Sequence, residues 1–214
     1  MPKDNDATIA RWTCTPHYPC NRWLHCDHCT RRRQARAADI AERIEAAFGP
    51  LQYAVITPDE NTGAAIARAK RRAIRSLGSP AALWTIEVGQ VSGRLHINLL
   101  GRLDGLENVS ASATWIDIRP AQARPVAAYI TKRTSAPSRE FYEGRLYGHS
   151  GHIGEWLLKA QELPLLQAAQ FLNVIERAHE FRTKTGSLDK AGQEALRAMA
   201  DHLYTTMARA VNSR

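Results

Sequence analysis

The chain has 214 residues, room for one domain or for one domain with a small appendage, which excludes a fused polymerase or helicase. Hydrophobic residues at 44% and charged residues at 23% are the proportions of a globular chain with a buried core, and they exclude a disordered or collagen-like protein. With 29 Lys and Arg against 21 Asp and Glu the formal charge is +8, a balance suited to phosphate polyanions, with a generically basic protein as the alternative.

In chain order, the first feature is a cysteine cluster. Cys14, Cys20, Cys26 and Cys29 are the chain's only cysteines, and they interleave with His17, His25 and His28. No run approaches the roughly 18 apolar residues of a membrane helix, and Met1–Arg11 lacks the apolar segment of a secretory signal, so a cytoplasmic location is expected. In a reducing compartment clustered thiols with Cys26-x2-Cys29 spacing point to a structural Zn²⁺ site, with free thiols and an iron–sulfur cluster as the alternatives. Arg31–Phe48 has apolar residues at helical spacing behind a basic entry and stops at Gly49-Pro50. Leu51–Pro58 is β-branched and aromatic, and reads as a strand. Thr62–Leu77 reads as a helix carrying Arg68, Lys70, Arg71, Arg72 and Arg75, candidates for contact with a DNA backbone.

Ala82–Val88 and Arg94–Gly101 form a predicted hairpin around Gly89–Gly93. Thr114–Ile118 is a further candidate strand, and Pro120 and Pro125 introduce a predicted helix over Val126–Arg133. Beyond Trp156 two helical runs, Leu163–Phe181 and Leu188–Ala210, flank Gly186. The predicted class is α+β, a central mostly antiparallel sheet with flanking helices. The expected organisation is a Cys-rich zinc module and basic helix over 1–49, a catalytic domain over 50–154 and a helical region over 155–214.

The chemistry is concentrated in the hairpin. A turn centred between Val91 and Ser92 pairs residues whose numbers sum to 183, so Glu87 faces His96, and His96 and Asn98 share a face by the two-residue period of a strand. Trp84, Ile86, Val88, Leu95, Ile97 and Leu99 fall on the other face, expected to be the core side. An imidazole, a carboxylate and an amide oxygen suit a Mg²⁺ or Mn²⁺ ion with open positions for phosphate oxygens; the bland alternative is a half-exposed strand with unrelated polar residues. Tyr129 and Lys132, three apart on a predicted helix, are expected to project from one face, where Tyr129 can act as a nucleophile and Lys132 can offset phosphate charge. The bland alternative there is a packed tyrosine with its hydroxyl bonded. Of the 29 cations 23 are arginine, whose planar fork matches phosphate oxygens in pairs. No GxxxxGK[ST] loop occurs, so ATP use is not expected.

Taken together and in this order, Ala54-Val-Ile-Thr57-Pro, His96-Ile-Asn98 and Tyr129-x-x-Lys132 resemble the three motifs of the HUH endonucleases, in particular the rolling-circle replication initiators of small phages and plasmids. The resemblance covers roughly Gln52 to Gly148. Initiators place the tyrosine after the histidine motif, as here, whereas relaxases place it before. One departure is Asn98 in the place of the second histidine; some viral initiators carry Gln there, with a Glu on the preceding strand completing the site. The resemblance implies an RRM-like palm and a site-specific DNA endonuclease and strand transferase. In it Glu87, His96 and Asn98 hold a divalent ion on the scissile phosphate of single-stranded origin DNA, and Tyr129 attacks to give a 5′-phosphotyrosyl enzyme and a free 3′-hydroxyl. Host helicase and polymerase are the implied partners. Two other readings compete: a single-tyrosine transposase of the same superfamily, and a non-catalytic zinc-bearing regulator that binds nucleic acid.

Overall fold

The computed structural model describes residues 26–77, 81–89, 92–106, 115–132, 137, 142, 144–150, 156–186 and 189–212. In chain order the elements are α1 (Asp27–Phe48), β1 (Leu51–Thr57), α2 (Gly63–Ser76), β2 (Ala82–Val88), β3 (Leu95–Gly101), β4 (Trp115–Ala121), α3 (Ala123–Ile130), β5 (Tyr147–Ser150), α4 (Leu157–Ala160), α5 (Leu165–Lys184) and α6 (Lys190–Asn212). The strands form one antiparallel sheet in the order β4-β1-β3-β2-β5, so the fold is α+β.

Local signals account for most boundaries. α1 stops where Gly49 takes a φ of 89°, a conformation that favours glycine, and its N–H donates to the Glu45 carbonyl. At the start of α2 the Thr62 side chain accepts from the Ala65 N–H at 3.2 Å. Replacing Thr62 with alanine removes that cap, and a loss of about 1 kcal/mol in unfolding free energy is expected from urea titration. The β2–β3 register runs from Ala82↔Gly101 through Glu87↔His96 to Val88↔Leu95, the pairing that the sum of 183 predicts.

β1 and β2 run in the same direction with β3 between them, and α2 makes the connection across one face of the sheet. Ile66, Ala69 and Ala73 of α2 pack there against Ala54, Ile56, Trp84, Ile97 and Leu99. α1 and α3 cover the opposite face, where Ile40, Ile44 and Ala127 meet Leu51, Tyr53, Leu83 and Leu100. Both faces are therefore buried. This corrects the expectation that only the Trp84 and Ile97 side is core: β2 is buried from Ala82 through Glu87 because a helical layer lies on each side of it.

Other expectations shift by a turn or less. β4 extends to Ala121, running through Pro120, which lacks an N–H and is tolerated because β4 is an edge strand; Thr114 lies outside the described residues. α3 begins at Ala123 and ends at Ile130, not over Val126–Arg133 as predicted. The Thr131 hydroxyl donates to the Ala127 carbonyl at 2.7 Å and the Lys132 N–H to the Tyr129 carbonyl at 3.2 Å, which closes the helix before Lys132. Arg133 lies outside the described residues. β5 was not predicted; it pairs with β2, and Gly148 lies against the Trp84 ring so closely that an added Cβ would come within 2.6 Å of it.

The C-terminal helices do not stand apart. Phe171 of α5 is fully buried with its ring edge-on to Trp156 and Tyr204, and α1, α3 and α5 contribute to one core with the sheet. The segments 1–49, 50–154 and 155–214 thus share a core across both boundaries wherever they are described. Among the described residues no helix is long and apolar enough to cross a membrane.

Candidate active site

One cross-strand row spans all five strands on the α1 and α3 side: Asp117, Val55, Asn98, Thr85 and Tyr147. Glu87 and His96 are the neighbouring pair on β2 and β3, on the same face by the two-residue period. His96 Nε2 lies 2.8 Å from Glu87 Oε1, and its Nδ1 lies 3.4 Å from the Arg94 carbonyl.

Behind the pair, Asn98 is fully buried. Its Oδ1 accepts from the Tyr53 hydroxyl at 2.5 Å, and its Nδ2 donates to Thr85 Oγ1 at 3.3 Å. Burial alone raises the Glu87 carboxyl, but hydrogen bonds from His96 and Asn98, with the charges of His96 and Lys132, outweigh it and hold the carboxyl below its ordinary range. Burial chiefly, with the nearby Glu87 charge, pushes the Tyr53 phenol far up, so Tyr53 stays protonated and donates. Changing Tyr53 to phenylalanine leaves the buried Asn98 oxygen without that donor. A loss of about 1–3 kcal/mol is expected by thermal or urea unfolding.

Tyr129 and Lys132 reach the same place from the end of α3. Lys132 Nζ sits 3.6 Å from the Tyr129 ring centroid and 4.0 Å from Glu87 Oε2. Tyr129 is 51% exposed, and its ring is edge-on to Tyr53 at 6.5 Å between centroids. Lys132 achieves this from beyond the helix end, by folding back over the ring, instead of by helical spacing. The structure therefore brings Glu87, His96, Asn98, Tyr129 and Lys132 together.

The donors fit a divalent ion in part. Two ligand atoms each about 2.1 Å from one octahedral ion lie about 3 Å apart, close to the His96 Nε2 to Glu87 Oε1 separation. Asn98 is less suited, since Tyr53 already occupies its oxygen and burial keeps it from the surface. Among the described residues no group of three or more His, Cys, Asp or Glu side chains converges.

The remaining predicted residues lie elsewhere. Arg68, Arg71, Arg72 and Arg75 are exposed on α2, which packs on the opposite face of the sheet from Glu87 and His96. Arg68 pairs with Glu60 at 3.3 Å, and Lys70 lies 4.2 Å from the Trp84 ring centroid with its Nζ donating to Tyr142 at 3.3 Å. Cys14 and Cys20 lie outside the described residues. Cys26 is the N-cap residue of α1 and Cys29 is buried in its first turn. Between them His28 Nε2 is buried and meets no hydrogen-bond partner among the described residues. Two thiols and an imidazole nitrogen are donors of the kind that suits Zn²⁺, but these three do not converge on one point.

Sequence reasoning missed Tyr53 and Thr85. The alternation in Leu51–Thr57 carries a signal for Tyr53, but placing it beside Asn98 needs the β1–β3 register, which no short turn encodes. Trp115, 52% exposed on the edge strand β4, was also passed over. Comparisons with protein-family models, with curated proteins and with solved structures found no match for this chain.

Proposed function

We propose that the protein is a nicking and joining enzyme for single-stranded DNA, of the rolling-circle initiator type, with Tyr129 as its nucleophile. The observation that carries this reading is the convergence of a half-exposed tyrosine, a lysine ammonium against its ring and a buried carboxylate–imidazole pair at one end of the sheet. In the proposed reaction the Tyr129 oxygen attacks phosphorus, the bond from phosphorus to the 3′-oxygen breaks, and the phenol proton is balanced by the proton gained on the departing 3′-oxygen. The Tyr–O–P linkage retains the energy of the cleaved ester, so a later 3′-hydroxyl can reverse the step and rejoin the strand. Lys132 offsets negative charge on the phenol and the phosphate. His96 and Glu87 are the residues that would hold Mg²⁺ or Mn²⁺, which supplies Lewis-acid polarisation of the phosphate when bound. The expected source of the substrate strand is a replication origin opened by a host helicase, and a host polymerase extends the 3′-hydroxyl.

The test is incubation with a random single-stranded DNA library and Mn²⁺, followed by denaturing electrophoresis. A protein–DNA adduct that resists denaturation and disappears with chelator supports the reading. Intact DNA binding with no adduct supports the non-catalytic regulator instead, a reading favoured by one feature, the engagement of Asn98 with Tyr53 and Thr85. The sequence of the trapped DNA ends separates a replication initiator from a transposase. The Cys-rich start is proposed as a structural zinc module; near one zinc per chain is expected in freshly reduced protein, and its absence argues for free thiols.

A further inference from the structure

The arginines first assigned to DNA lie on α2, across the sheet from Glu87 and His96, which raises the question of what holds a strand on the site's own face. Three other arginines are gathered there. Arg33 of α1 places its guanidinium carbon 4.5 Å from the centroid of the Tyr147 ring. Tyr147 stands in the same cross-strand row as Thr85 and Asn98, one strand away from β2. Arg36 and Arg145 are exposed beside them, and Arg36 Nε donates to Gln161 at 3.3 Å. Burial first, then the like charges of Arg145 and Arg36, lowers Arg33 from its ordinary value. The same two arginines act on His149, which burial above all holds below its ordinary value, so that His149 is neutral at pH 7. Like charges drawn together on a partly dry surface repel, and an anion seated among them relieves that cost.

Distance agrees with a role beside the reaction. One strand spacing and two residues of rise separate Tyr147 from Glu87, about 8 Å between their Cα atoms. We infer that Arg33, Arg36 and Arg145 form a second phosphate subsite, which grips the backbone of a single-stranded nucleic acid next to the phosphate presented to Tyr129. The identity of the strand as substrate rests on the function proposed above; the subsite itself does not need the chemistry to occur. Guanidiniums match phosphate oxygens in pairs, and Tyr147 beneath Arg33 fixes the fork in place.

The test uses a fluorescein-labelled twenty-nucleotide oligothymidylate and the full chain carrying Tyr129→Phe, so that binding is read without cleavage. Anisotropy is recorded between 50 and 200 mM salt for this protein and for the same protein with Arg33→Gln and Arg145→Gln added. The pair of substitutions is expected to weaken binding about tenfold or more and to reduce the slope of log K against log salt by about 0.7 to 1.4, as loss of one or two contacts to a single strand requires. Arg71→Gln with Arg72→Gln, on the opposite face, is expected to leave affinity within about twofold. Arg145→Gln alone, an exposed position with no packing to lose, is expected to show a part of the loss, and Arg145→Lys to restore part of it. Unchanged affinity and slope in the Arg33 and Arg145 variant, or an equal loss in the α2 variant, overturns the subsite. Loss of binding in the cluster variant together with failure of wild-type protein to form an adduct keeps the subsite and removes the nicking reaction. Adduct formation with unaltered binding does the reverse.

Discussion

Replacing Tyr129 with phenylalanine is expected to abolish the DNA adduct, a loss of about a thousandfold or more, while changing stability and DNA affinity little. The ring is 51% exposed, so its hydroxyl fills no buried space and satisfies no buried partner. Phenylalanine also keeps the ring that the Lys132 ammonium approaches at 3.6 Å and that meets Tyr53 edge-on. The substitution thus removes the nucleophilic oxygen and preserves the local packing. Denaturing electrophoresis reads the adduct and anisotropy reads the binding. Wild-type levels of adduct in the variant would move the nucleophile to another residue.

Glu87→Gln is expected to lower adduct formation about a hundredfold or more and to remove its response to Mn²⁺, since the variant keeps the shape of the side chain and loses the charge that would hold the ion. It also costs stability, about 1–3 kcal/mol, because the neutral amide faces His96 at 2.8 Å and Lys132 at 4.0 Å in a place with little water. The pH dependence follows from the direction of the Glu87 shift. A carboxyl whose folded pKa lies below its unfolded value of about 4.3 contributes its full stability above that value and loses it as pH falls through the lower folded one. The gap in unfolding free energy between wild type and Glu87→Gln should therefore be present at about pH 5 and close in stronger acid, and a gap that persists undiminished to about pH 2 would mean that the carboxylate charge is not what stabilises.

The hairpin was readable because a short turn couples residues through simple counting. Glu87↔His96 follows once the turn is centred between Val91 and Ser92, and the structure keeps that register along its whole length. The burial of Glu87 and Asn98 was not readable, since one strand does not say how many helical layers cover it. That depends on α1 and α3 meeting the same face from distant parts of the chain. Likewise the basic helix α2 shows its arginines plainly in sequence, but the side of the sheet it covers is fixed by the crossover from β1 to β2, a property of topology. β5 is four residues with a central glycine and has no alternation to detect; only the open edge of β2 explains its pairing. Lys132 arrives at Tyr129 although the helix ends too early for the spacing rule that placed them together.

The position of β3 in the middle of the sheet has a dynamic counterpart. Amide protons of Ile97, Asn98 and Leu99 are flanked by strands on both sides and by a helix above and below, so they should exchange with deuterium only when the whole chain opens. Tyr129 sits in the last turn of an eight-residue helix, where backbone protons are released by local fraying at much lower free energy. His96 and Asn98 are thus mounted on a strand expected to exchange slowly, whereas the residue proposed to attack the DNA is carried by the last turn of a short helix.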